Sequence, residues 1–164
     1  MKTSLLLLAV LLLSLEKGIS QQPASIIPDF SFERADGTAF SKKDLPRSSL
    51  AFFVFFDTQC DHCQHALQYL NTHRLDFIKA NLYLITLDNQ EDARSFLEKN
   101  AAQLVKAKNV WQLFDTKNQF IARFRPRKYP SLMLYSGTGK LLLYEDDEKK
   151  LPAFAGEIRK HAVK

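Results

Sequence analysis

Ser49-Leu50-Ala51-Phe52-Phe53-Val54-Phe55-Phe56-Asp57-Thr58-Gln59-Cys60-Asp61-His62-Cys63 is the stretch on which the reading of the fold turns. Its first eight residues form a nearly continuous apolar run of strand length, rich in aromatics. Such a run reads as a central strand buried on both faces. Its last four residues set two thiols one helical turn apart, where a helix is expected to begin. That helix, from about Cys60, carries Ala66, Leu67, Leu70, Phe77 and Ile78 toward the core, with a break near Asn71–His73.

Working outward, Phe30-Ser31-Phe32 and Thr38-Ala39-Phe40 flank the turn Ala35-Asp36-Gly37 and predict a short hairpin at the domain edge. After the first helix, Asn81–Leu87 reads as the next strand. Gln90–Val105 then places Ala93, Phe96, Leu97, Ala101, Leu104 and Val105 at helical spacing. Val110–Phe114 and Phe120–Phe124 are apolar segments on either side of the turn Asp115–Asn118. Ser131–Tyr135, the turn Gly137-Thr138-Gly139 and Leu141–Tyr144 predict a second hairpin. Lys149–Lys164 fits a closing helix, with Pro152 tolerated in its first turn. Strand, helix, strand, helix, hairpin and helix in that order argue for an α/β sheet covered on both faces.

The chain begins Met-Lys-Thr-Ser and then runs from Leu5 to Leu15 without a charge. A basic start and an apolar stretch of this length read as a secretory signal peptide, with Gly18-Ile19-Ser20 supplying small residues for cleavage after Ser20. The run falls short of the roughly 20 residues of a transmembrane helix. Residues 1–20 are therefore expected to be a signal peptide and residues 21–164 one domain. Export across an inner membrane into a periplasm is the expected localisation, with no stable membrane insertion after cleavage. Removing residues 1–20 takes away Lys2, Lys17 and Glu16 and lowers the net charge from +5 to +4. A charge this mild, spread along the chain, argues against nucleic acid as a partner.

Cys60 and Cys63 are the two cysteines of the whole sequence. A disulfide staple gains most by closing a long loop, and this pair closes almost none. Chemistry explains it better than stability. Unpaired N–H groups and the dipole at a helix start favour a negative sulfur, and the thiolate is the attacking species. Cys60 is expected to attack a substrate disulfide and Cys63 to resolve the mixed disulfide. His62, between them, stabilises the Cys60 thiolate when protonated; Asp61 acts in the opposite sense. A zinc site completed by His62, His65 or His73 competes with this reading, but a second CxxC or a well-spaced histidine pair is missing. Haem attachment is removed by Gln64, which stands where CxxCH needs a histidine.

The aromatic strand ending at Cys60-Asp61-His62-Cys63, Tyr129-Pro130-Ser131 before the hairpin strand, and the glycine turn after Tyr135 together resemble the thioredoxin superfamily, specifically its exported TlpA-like (redoxin) branch. The resemblance runs from Pro28-Asp29-Phe30 through the last helix. It implies a thioredoxin-like three-layer α/β/α sandwich with a central mixed sheet and the N-terminal hairpin at its edge. It also implies that Pro130 is cis, sits against the CxxC and presents the backbone of Tyr129 to a substrate chain. The residues alone favour an ordinary trans proline opening a strand. The chain departs from the family's pattern at several places. Gln59 stands where thioredoxins carry Trp before the first cysteine, and Asp61-His62 replace Gly-Pro. Val54 and Ala66 occupy the positions of the acids that serve as proton acceptors, which leaves Asp57 or His65 as candidates. Arg125, Arg127 and Lys128 are expected near the thiols, to stabilise a thiolate or attract an acidic partner.

The expected activity is thiol–disulfide exchange by a monomer, without cofactor or metal, on protein thiols or disulfides outside the cytoplasm. The TlpA-like frame resembles reductases fed by a membrane electron donor, whereas a histidine before the second cysteine resembles oxidising members and isomerases. A peroxiredoxin is the enzymatic alternative. Its chemistry wants Thr or Ser three residues before the reactive cysteine and Pro seven before it, where this chain has Asp57 and Phe53. An exported copper- or zinc-binding module using Cys60, Cys63 and a histidine is the non-enzymatic one.

Overall fold

The computed structural model describes residues 22–161. The expected signal peptide, residues 1–20, lies outside them, as do the last three residues of the predicted closing helix.

The apolar run forms strand β3, Leu50–Phe55, and every residue of it is buried. A strand exposes alternate side chains to opposite faces, and β3 feeds both. Phe52 and Val54, with Phe56 beyond the strand, enter one core; Ala51, Phe53 and Phe55 enter the other. The unbroken hydrophobicity is thus the signature of a strand with protein on both sides. Parallel neighbour β4, Ala80–Thr86, pairs along its full length, from Leu50 opposite Ala80 to Phe55 opposite Ile85. β5, Val110–Phe114, extends the parallel set beyond β4.

The remaining strands are antiparallel. The first hairpin, β1 (Ser31–Glu33) and β2 (Ala39–Ser41), closes the sheet beyond β5, with Glu33 opposite Phe114. The second, β6 (Ser131–Tyr135) and β7 (Leu141–Glu145), closes it beyond β3, with Phe55 opposite Ser131. The result is a seven-stranded mixed sheet ordered β2-β1-β5-β4-β3-β6-β7. In the second hairpin Gly137 is required by space. A Cβ there would lie 2.5–2.7 Å from the backbone of Ser48.

Helix α1, Asp61–Thr72, packs on one face of the sheet together with α2, Gln90–Ala101, and α4, Leu151–His161. Two asparagines join α1 to α2. Asn71 accepts backbone N–H bonds from Gln103 and Leu104, and buried Asn100 accepts from the Gln68 side chain. The opposite face is covered by the N-terminal segment and the short helix α3, Gln119–Phe124, with Phe32 and Phe40 of the first hairpin joining that core. Stacked phenylalanines fill that side; Phe120 and Phe124 stack at 4.3 Å and Phe55 meets Phe120 at 4.3 Å. The three-layer α/β/α sandwich is therefore present, with one helical layer much thinner than the other.

Three local expectations are corrected. Ile78 does not reach the core but is 57% exposed, because α1 stops at Thr72 and the 3-10 turn Arg74–Phe77 turns only Phe77 inward. Helix α2 ends at Ala101, and Leu104 is buried from a separate 3-10 turn, Leu104–Lys106. The segments flanking Asp115–Asn118 are not alike. The first is strand β5, which adds a strand to the expected element order; the second is helix α3. Buried Asp115 favours the helix, its carboxylate accepting the Gln119 and Phe120 N–H groups that the first turn leaves without helical partners.

Candidate functional site

β3 delivers the chain into the loop Phe56–Gln59, and that loop is pinned from the neighbouring strand. Asp88, just beyond β4, accepts the Thr58 N–H at 2.8 Å and the Thr86 hydroxyl at 3.0 Å. Asp57 closes a tighter turn by accepting the Gln59 N–H at 2.7 Å. The next residue, Cys60, is the N-cap of α1.

As cap, Cys60 plays the part usually taken by Ser or Asp. Its Sγ accepts the Cys63 N–H at 3.2 Å, and its carbonyl accepts the same N–H at 3.0 Å. A sulfur aimed at the unpaired end of a helix is stabilised as thiolate by the N–H group and by the dipole. Cys60 is half-buried and Cys63 fully buried; both are free thiols. Burial pushes the Cys63 thiol far above its ordinary value, and its hydrogen bond to Cys60 adds to the shift. The two sulfurs thus differ sharply in access, and the buried one is held protonated by its surroundings.

The Tyr129–Pro130 peptide bond is cis. Phe55 pairs with Ser131, so one further step of the antiparallel register sets Pro130 beside Phe56, where the chain leaves β3 for the cysteine loop. Pro130 itself is buried, and half-buried Tyr129 stands at the rim. The Tyr129 ring packs on Phe55 at 4.7 Å. Burial, reinforced by the charges of Asp57 and Asp88 and by the two thiols, pushes its phenol up to about 12. The hydroxyl of Tyr144 on β7 secures this segment, accepting the Arg127 N–H at 2.9 Å and bonding the Ser131 hydroxyl at 3.0 Å.

His62 points away from the core and is 69% exposed, with its Nδ1 3.1 Å from Glu148 Oε1. Burial, the largest single influence, would raise the Glu148 carboxyl; the His62 hydrogen bond, a backbone hydrogen bond and the His62 charge together outweigh it and hold the group below its ordinary value. His65 is exposed on the same side of α1 and converges on the same pair, whereas His73 stacks on Tyr69 and bonds its carbonyl. Asp57 stays close enough to Cys63 for its charge to act on that thiol. Asp61 is exposed at the first position of the helix. Of the basic trio, Arg127 Nε lies 2.9 Å from Asp146 and its guanidinium covers the Tyr144 ring. Lys128 meets Asp146 at 3.8 Å, and Arg125 is an exposed residue with left-handed backbone. The charge at Arg127 is thus already matched by a carboxylate.

Sequence reasoning missed Asp88, Tyr144 and Glu148. Asp88 carried a weak signal, an acid closing a strand next to the expected cysteine loop. Glu148 carried none, since it lies 86 residues from its partner His62.

The fold is shared with solved structures. A protein of Chlorobium tepidum provisionally described as thiol:disulfide interchange protein DsbE is 20% identical, with TM-score 0.66 over 88% of this chain and 97% of that one. MTB dsbF, described in mixed oxidized and reduced forms, is 18% identical, with TM-score 0.66 over 84% and 99%. A thiol-disulfide oxidoreductase from Bacteroides fragilis is 20% identical, with TM-score 0.65 over 82% and 98%. No curated protein matches the sequence. The AhpC/TSA family matches residues 23–142, the segment running from ahead of the first hairpin through the cysteine loop to β7, and the chain belongs to this redoxin family of the thioredoxin superfamily.

Proposed function

We propose that the protein is a dithiol–disulfide oxidoreductase acting on protein disulfides outside the cytoplasm, in the reducing direction. The observation that carries this reading is the asymmetry of the pair. Cys60 caps α1 with its sulfur on the Cys63 N–H, while Cys63 lies buried one turn deeper with its thiol shifted upward.

In this mechanism the Cys60 thiolate attacks one sulfur of a substrate disulfide. That S–S bond breaks, one substrate thiolate leaves, and a mixed disulfide forms on Cys60. Cys63 then gives up its proton and attacks the Cys60 sulfur. The second substrate thiol is released and a Cys60–Cys63 disulfide remains, so two electrons have passed from the pair to the substrate. Asp57 is our candidate for the Cys63 proton, since of Asp57 and His65 it is the one whose charge acts on that thiol. The backbone of Tyr129, ahead of cis Pro130, is the surface along which a substrate chain lies beside Cys60. A dithiol donor, held at the membrane, returns the pair to its reduced form.

Export rests on the apolar run Leu5–Leu15 with its basic start, and residues 21–164 then act as one thioredoxin-like domain. No helix among the described residues is long and apolar enough to cross a membrane. The peroxidase alternative has no support at Asp57 and Phe53, where its chemistry wants a hydroxyl and a proline.

The reduction potential of the Cys60–Cys63 couple, measured by equilibration with defined glutathione ratios, tests the proposal. A value near that of thioredoxin, about −270 mV, is expected for a reductase. One near about −120 mV makes the protein an oxidant. The absence of a reversible two-electron couple ends the exchange reading.

A further inference from the structure

We infer that His62, His65 and Glu148 form a binding site for a divalent metal ion of the zinc type, on the surface beside the thiol pair. Neither cysteine belongs to it, so the site stands or falls apart from dithiol exchange. It also departs from the metal-free protein that the sequence leads one to expect.

The donor set fits the ion. Two imidazoles and a carboxylate are ligands that zinc accepts, with a fourth position left to water. His62 and His65 are three residues apart on α1, so they lie on one face of the helix. Glu148 comes from a different element, the 3-10 turn Glu148–Lys150 that precedes α4. One ligand atom from each of the three residues lies within 4.8 Å of the others, and the His62–Glu148 pair is already at 3.1 Å. Ligands about 2.0–2.2 Å from one ion stand somewhat closer together than 4.8 Å. A small rotation of the two exposed imidazoles closes that gap.

Glu148 is the more fixed member. Its side chain is 12% exposed, and its turn is capped by Asp147, which accepts the Lys149 N–H. The turn therefore presents the carboxylate to the histidines, and an ion does not have to order a mobile group. Access is open, because His62 and Glu148 line a surface cleft of about 400 Å³ that also touches Tyr129. Two cations, Lys128 and Lys149, line the same cleft, which also holds the carboxylates of Asp146 and Asp147, and Lys128 meets Asp146 at 3.8 Å. An ion bound here clips the 148–150 turn to the first two turns of α1, which carry both cysteines.

Calorimetric titration of Zn²⁺ into a C60S/C63S protein tests the site without thiol ligands. One ion per chain is expected, and H65A or E148Q in the same background weakens binding by at least about tenfold. The H65A change is also made in the wild-type protein, where an exposed residue is lost and the thiols stay. X-ray absorption of the zinc-loaded reduced wild type is expected to show only nitrogen and oxygen neighbours at about 2.0–2.2 Å. Sulfur neighbours at about 2.3 Å, undiminished binding by H65A, or no zinc bound by the thiol-free protein each overturn the site.

Discussion

Cys63 should make the folded protein lose stability in mild alkali, and the loss can be assigned to this one group. Its side chain is fully buried, and burial is the largest cause of its upward shift. Burial persists when Cys60 is replaced by serine, so we compare C60S with C60S/C63S. Above the ordinary thiol value of 9.0 the unfolded chain releases the Cys63 proton while the native state keeps it. A folded value raised in this way gives stabilisation that is fully present below the unfolded value and is lost as pH rises toward the folded one. Relative to pH 7, the loss is about 0.4 kcal/mol at pH 9 and about 1.4 kcal/mol at pH 10, tending to a slope of about 1.4 kcal/mol per pH unit.

Urea unfolding at pH 7, 8, 9 and 10 reads this directly. With an m-value of about 2 kcal/mol/M, the C60S midpoint falls by about 0.7 M more than that of C60S/C63S between pH 7 and 10. Tyr83 and Tyr135, whose phenols are also pushed upward by burial, are common to both proteins and cancel in the difference. If the midpoints of the two proteins run parallel over that range, Cys63 ionises in the folded state much as a free thiol does. The argued division of labour between an accessible thiolate and a protected thiol then fails with it.

Three further perturbations follow. On the proposed order of attack, C63S keeps the attacking sulfur and loses the resolving one, so mixed disulfides with substrate proteins should accumulate on non-reducing gels, whereas C60S should trap none; equal trapping by both refutes that order. D88A removes the acceptor of the Thr58 N–H and the Thr86 hydroxyl and should cost about 1–3 kcal/mol in denaturant unfolding. It should also speed cleavage in the cysteine loop by added protease, and a D88A protein as stable as wild type would show that the loop is held by other contacts. G137A forces the Ser48 backbone to move and should destabilise by about 1–3 kcal/mol, read from the same unfolding curves.

Much of this fold was legible because its signals are local. The eight-residue apolar run could only be a strand with cores on both faces, and the two hairpins announced themselves through glycine turns between alternating segments. The failures came where a distant or single side chain decides. Phe120–Phe124 has the composition of a strand and becomes a helix whose first turn buried Asp115 caps. A helical period carried past Thr72 points Ile78 inward, but the backbone tightens into a 3-10 turn there and the period changes.

The candidate site divides along the same line, and the division bears on what sets its chemistry. The thiols and the strand–helix junction that positions them occupy one short segment, so their presence and order were readable. Their surroundings are assembled from afar: Asp88 from the end of β4, Tyr129 and Pro130 from the start of β6, Tyr144 from β7 and Glu148 from the turn before α4. His62 illustrates the consequence. From sequence it is a charge between two cysteines. In the fold its ring is turned outward onto Glu148, so any influence of His62 on the Cys60 sulfur would be exerted by an imidazole–carboxylate pair. E148Q should therefore move the pH dependence of Cys60 alkylation relative to wild type, and the shift should vanish when His62 is also replaced by Ala. An E148Q shift that persists undiminished in the H62A background would show that Glu148 acts on the thiol without His62, through its own charge.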